Sequence, residues 1–137
     1  MIRFRTIGVL AWASCACQTA QPATPQCITD NPRTGALTAR AQSEQANCTQ
    51  DGGSGCDATT FISQDAALCL AADANLAAGI KPWTAQLTYH HGVKLVRWNV
   101  QNTTYDHGPY DGIGGDYLAF NAVSGALIDS GKWSAIP

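Results

Sequence analysis

Charge is scarce in this chain. Only 13% of its 137 residues are Asp, Glu, Lys or Arg, about half the share usual for a soluble domain. Solubility therefore falls to Gln, Asn, Thr and Ser, a balance that suits an extracytoplasmic protein. Four of the eight cationic side chains lie at or before Arg40 and the net charge is −2. Without a clustered Lys/Arg stripe to neutralise phosphates, nucleic acid is not an expected partner. Long apolar runs are also missing: Ile7 to Trp12 falls far short of the roughly 20 residues that cross a bilayer.

Catalytic signatures are lacking too. After Cys17 there is no G-x-S-x-G elbow, H-E-x-x-H helix, P-loop or C-x-x-C pair. The expectation is therefore a protein that is not an enzyme and carries no cofactor, with a secreted hydrolase as the least favoured alternative. Aromatic residues are absent from Gln18 to Thr60. That stretch, rich in Gln, Thr, Ala and Pro, offers little apolar surface to offset its ordering entropy, so residues 18–60 read as a largely disordered, Cys-containing arm. Within it, 33–46 could form a short helix.

What is present starts with MIRFRTIGVLAWASCAC. Arg3 and Arg5, a short apolar stretch, and the small residues Ala13, Ser14 and Ala16 resemble a bacterial lipoprotein signal over residues 1–17. The expected lipidation site is Cys17, with Cys15 as the alternative. Choosing Cys17 leaves Cys27, Cys48, Cys56 and Cys69, an even set that an oxidising compartment can pair. Four cysteines allow three connectivities, and Cys56–Cys69 with Cys27–Cys48 is the expectation. The chain is thus expected to be exported and anchored by lipid alone in the cell envelope, the outer membrane of a Gram-negative bacterium, or else secreted. A mature N-terminal peptide of unmodified mass removes the anchor.

Residues 61–137 read as the folded domain. Ser63 is a candidate N-cap and Asp65 suits the first turn of a helix over 66–78 that Gly79 would stop. Leu68, Ala72 and Leu76 form its expected apolar stripe. Alternation then marks strands at 83–90 and 96–101, joined by a tight His91–Gly92 turn, followed by a Gly/Asp loop over 102–115, a strand at 117–122 and a return through 126–129. The fold class is α+β: one Ala-faced helix on a three- or four-stranded antiparallel sheet, with Trp83, Trp98, Leu118 and Phe120 in the core.

The helix opening at Ile62-Ser63, the Trp-bearing strand and the strand-turn-strand Phe120-Asn121-Ala122-Val123-Ser124-Gly125 resemble the PepSY-like domain, a helix-on-sheet half of PepSY/cystatin type. Ala122, Ser124 and Gly125 match that family's turn motif, and Asn121 stands where Asp is usual. The resemblance implies an extracytoplasmic protein that binds or restrains an envelope or secreted partner, such as a peptidase, rather than an enzyme.

The competing reading is a small-ligand or calcium module on the 102–116 loop. Asp106, Asp111 and Asp116 recur there at five-residue intervals, unlike the alternate-residue spacing of an EF-hand. They are weak metal candidates, and no metal is expected. His90 and His91, adjacent in sequence, are expected to point to opposite faces of a strand; His107 could join one of them across the loop, but two histidines make a thin ligand set.

Overall fold

The computed structural model describes residues 24–33 and 37–136. Three helices, α1 (Gln26–Asp30), α2 (Ala39–Gln50) and α3 (Gln64–Asp73), with a 3₁₀ turn at Ala58–Thr60 before α3, precede five strands. These are β1 (Thr84–His90), β2 (Leu95–Gln101), β3 (Tyr105–Asp106), β4 (Ile113–Asn121) and β5 (Leu127–Ala135). The class is the expected α+β with an open antiparallel sheet, but the lone helix becomes three and the three or four strands become five.

The arm is the main correction. Its described part, 24–33 and 37–60, is folded, while the signal segment, Cys15, Cys17 and residues 18–23 lie outside the described residues. Two disulfides, Cys27–Cys69 and Cys48–Cys56, draw α1 and α2 into the core, and both expected pairings are therefore wrong. Small residues do the packing that large apolar ones usually do: Cys27, Ala41, Cys48 and Ala58 are all buried.

Local signals set the helix ends. Thr38 Oγ1 accepts from Ala41 N at 3.1 Å and Ser63 Oγ from Ala66 N at 3.1 Å, each capping its helix. α3 ends well before Gly79, because Asn75 takes the left-handed conformation (φ 61°). Leu76 N then donates to Ala71 O and Asn75 N to Ala72 O, the paired bonds of a Schellman end. The buried stripe of α3 is Ala66, Ala67, Leu70 and Ala71, not Leu68, Ala72 and Leu76. The alanines admit close approach to β1 and β2, as a small-residue face does.

β1 pairs with β2, and β2 with the second half of β4. β3 pairs with the first two residues of β4, and β5 with nearly all of it. Among the described residues the sheet therefore has β1, β5 and the two-residue β3 as edge strands. Val96, Trp98 and Val100 are buried on β2, with Leu87, Phe120 and Ala122 beside them, and Trp98 Nε1 donates to Ile62 O at 3.0 Å. Trp83 and Leu118 are half-buried against this cluster. The β1–β2 turn is a four-residue loop, 91–94, whose positive φ falls at Lys94 rather than Gly92.

The Asn121–Ala126 turn forms as its residues suggest. Asn121 Oδ1 accepts from Val123 N (2.8 Å) and Ser124 N (3.1 Å), and Gly125 N donates to Asn121 O. Asn121 thus does what an Asp would do as an acceptor. Gly125 has φ 74°, and a Cβ there would sit 2.7 Å from Ile28 Cδ1 and 3.1 Å from Leu70 Cδ1. The turn therefore fixes α1 and α3 as well as the strands.

Candidate functional site

The two long edge strands, β1 and β5, are treated differently, and the residues responsible lie in the stretch read as an arm. Arg40 and Glu44, one turn apart on α2, reach over the rim of β1. Arg40 Nε donates to Leu87 O at 2.8 Å, and Glu44 accepts from Tyr89 N at 2.7 Å while pairing with Arg40 at 3.1 Å. These side chains occupy backbone groups that an added strand would need, so α2 closes the β1 edge. The i,i+4 spacing of Arg40 and Glu44 is visible in the sequence as a helix pair; its use as an edge cap is not.

Glu44 is 5% exposed, so its removal leaves the Tyr89 N–H without an acceptor in a dry place. Glu44→Ala is expected to cost about 2–3 kcal/mol, and Glu44→Gln, which keeps an acceptor, about 1 kcal/mol. Urea unfolding monitored by circular dichroism checks both, and equal costs would refute the edge-capping role.

β5 contrasts with β1. Among the described residues its only strand partner is β4, and seven of its nine residues are exposed, including Leu127 and Ile128. Ile128 sits at a register shift opposite Ala119/Phe120. On the outer face, the Tyr117 ring lies across Gly131 and its hydroxyl donates to Asp129 Oδ2 at 2.8 Å. Arg97 Nη1 stands 3.6 Å from the same carboxylate. Asp129 is held below the usual carboxylate range, chiefly by the Tyr117 hydroxyl. These contacts stiffen β5 from one face, and Asp129 Oδ1 also accepts from Ser130 N at 2.9 Å.

The 102–116 loop does not gather its carboxylates. Asp106 binds Lys81 Nζ, and Asp116 binds Lys132 Nζ at 2.9 Å; each is lowered mainly by its lysine. Asp111 is exposed. Among the described residues the one trio of potential metal ligands within reach of one another is Cys27, Cys69 and Asp73, and its two sulfurs are already bonded together. The calcium geometry suggested by the spacing is thus not formed by these three aspartates.

The tyrosines are also dispersed. Tyr105 stacks on His107 with centroids 5.2 Å apart, on the opposite face of β4 from Tyr117, and Tyr110 is 90% exposed. Tyr89 instead joins a polar knot at the hairpin. Its hydroxyl donates to Asp51 Oδ2, which also meets His91 Nδ1 at 2.6 Å, while Lys94 Nζ donates to Asp51 O at 2.9 Å. Burial, then the bond to Asp51, pushes the Tyr89 hydroxyl up to about 12, and that same bond is the main cause holding Asp51 low. The knot ties the end of α2 to the β1–β2 loop. His90, the other histidine of the pair, has Nδ1 buried without a hydrogen-bond partner.

One concavity is sizeable. Between the first turns of α2 and α3 an open groove of about 840 Å³ runs over Leu87 and Trp98, with Arg33 and Arg40 on its wall. It lies on the helix side of β1 and β2, away from β5.

Comparison with protein-family models, with curated proteins and with solved structures returned no match to the chain.

Proposed function

We propose that the chain is a non-enzymatic, exported binding module that holds an extended segment of another envelope or secreted protein along β5, tethered to the membrane by a lipid on Cys17. A peptidase is the partner class that the PepSY-like resemblance implies. One observation carries the reading: the rim of β1 is closed by Arg40 and Glu44, whereas β5, nine residues long, has β4 as its one strand partner among the described residues and exposes Leu127 and Ile128. An uncapped strand of this length is a template for strand addition, in which backbone bonds supply affinity and alternate side chains supply selectivity.

The test is capture of partners from envelope extracts, followed by hydrogen exchange on the purified complex. Protection is expected to rise over 127–135. Ile128→Lys, which places a charge on the rim at an exposed position, is expected to weaken capture at least tenfold with less than about 0.5 kcal/mol change in stability. Protection confined to the helices, or capture unaffected by Ile128→Lys, would overturn the proposal.

A further inference from the structure

The groove between α2 and α3 is independent of β5, and its chemistry is lopsided. Its lining is largely carbon: exposed Leu37 and half-buried Ala85 above Phe61, Ile62, Leu87 and Trp98, which the core already buries. Its volume of about 840 Å³ falls within the roughly 300–1,000 Å³ typical of small-ligand sites. Its wall carries a cationic head with spare capacity. Arg33 Nη1 donates to Ala58 O at 2.6 Å, but Arg33 Nη2 is buried with no hydrogen-bond partner. A buried guanidinium nitrogen without an acceptor is costly to keep, and a ligand oxygen would satisfy it.

The surrounding charges define what the occupant must be. Arg40 is already paired with Glu44. Asp57 faces Arg33, and Asp65, in the first turn of α3, stands on the groove's rim. The first turn of α2 carries no acidic residue. The unmet demand is therefore for one acceptor group near Arg33, on a body that is otherwise apolar. An extended peptide is disfavoured there, because the β1 groups it would pair with, Leu87 O and Tyr89 N, are taken by Arg40 and Glu44.

We propose that this groove binds an amphipathic monocarboxylate, its carboxylate on Arg33 and its alkyl chain along Leu37 and Ala85, above Leu87 and Trp98. The nearest simple probe is decanoate, and its neutral counterpart is decanol.

Calorimetric titration of the full chain, with both disulfides formed, is expected to give one saturable decanoate site and binding of decanol about tenfold weaker, the factor that about 1.4 kcal/mol of head-group recognition provides. Arg33→Gln is expected to lower decanoate affinity to the decanol level without changing decanol binding, and Arg33→Lys to restore part of the difference. Should Arg33→Gln fail to fold, Asp65→Asn serves in its place: removal of the opposing carboxylate must tighten decanoate and leave decanol unchanged. Absence of a saturable site, equal affinity for acid and alcohol, an Asp65→Asn protein no tighter than the parent, or a free-carboxylate peptide that outcompetes decanoate at this groove would each overturn the proposal.

Discussion

Replacing Cys27 and Cys69 together by alanine is expected to destabilise the fold by about 4 kcal/mol, against about 2.5 kcal/mol for the Cys48/Cys56 pair. The difference follows from loop length: the first bridge closes a sequence separation of 42 residues and the second one of 8, and the entropy a crosslink removes from the unfolded chain grows with the logarithm of the loop. Native-state losses add to the first case. α1 has five residues and no side-chain cap at its start, far below the length at which a helix holds by itself in water. What fixes it is Cys27 on α3 and Ile28 against the Gly125 turn and Leu70. Alanine is preferred to serine because Cys27 Sγ lies 3.2 Å from Asp73 Oδ2, where a hydroxyl would make a new bond and mask part of the loss. Urea unfolding of both double variants decides the matter: equal costs would mean that α1 is held by packing alone. Against a total stability of about 5–15 kcal/mol for ordinary domains, the expected loss is large.

The same bridge shows where the sequence is hard to read. Ser63, the alternating strand at Val96–Val100 and the Gly125 turn are legible because their signals are local: a cap acts within one turn, alternation within one strand, and positive φ at one residue. α1 and α2 send no such signal. α2, ARAQSEQANCTQ, has no Leu, Ile, Val or aromatic residue, and it is buried through Ala41, Glu44 and Cys48. Its place in the core depends on Cys56 and β1, that is, on contacts that hydrophobic periodicity does not encode. Connectivity is nonlocal in the same way, since each cysteine's partner is set by how the helices lie on the sheet.

The candidate surfaces divide along this line. The free side of β5 follows from strand count, which alternation and turn residues supply in part: the turn after β4 is recognisable, but β3 and the start of β4 fall in the stretch read as a loop, and the length of β5 is underestimated. The closed rim of β1 and the Arg33 wall of the groove both come from the stretch read as an arm. Polar helices that cap an edge need few large apolar residues, because their side chains bond to backbone rather than pack against it. A sequence poor in charge spends Arg40 and Glu44 there, together with Arg33 on Ala58 O, so these cations are committed to the fold or the groove rather than to a solvated face.

Asn102→Ala is the second large expected effect, about 3 kcal/mol destabilising, from a residue that reads as the start of a surface loop. Asn102 is fully buried, at the point where the chain leaves β2 and re-forms as β3 while β4 runs on alongside. Its Oδ1 accepts from Asp116 N at 2.7 Å and its Nδ2 donates to Ala77 O at 3.0 Å. Its backbone N donates to Asp116 O at 3.1 Å, and its carbonyl accepts from Trp133 Nε1 at 2.8 Å. One side chain thus joins the segment after α3 to β4, and its own carbonyl joins β5. Gly115 belongs to the same contact: a Cβ there would lie 2.3 Å from Asn102 O. Truncation to alanine strands the buried-side Asp116 N–H, at about 1–3 kcal/mol, and takes one of two donors from Ala77 O, which keeps Trp83 Nε1 at 2.9 Å. Asn102→Asp retains the acceptor but loses the donor to Ala77, and it places a carboxylate in a dry site, so it is expected to cost at least as much. Hydrogen exchange is the specific readout, since the Asp116 amide should lose protection before the β1–β2 amides do. A change below about 0.5 kcal/mol, the range of ordinary surface substitutions, would show that the network is not holding the β2–β3 break. Because Trp133 hangs from the Asn102 carbonyl, the variant also loosens β5, and partner capture along that strand should fall together with the Asp116 protection.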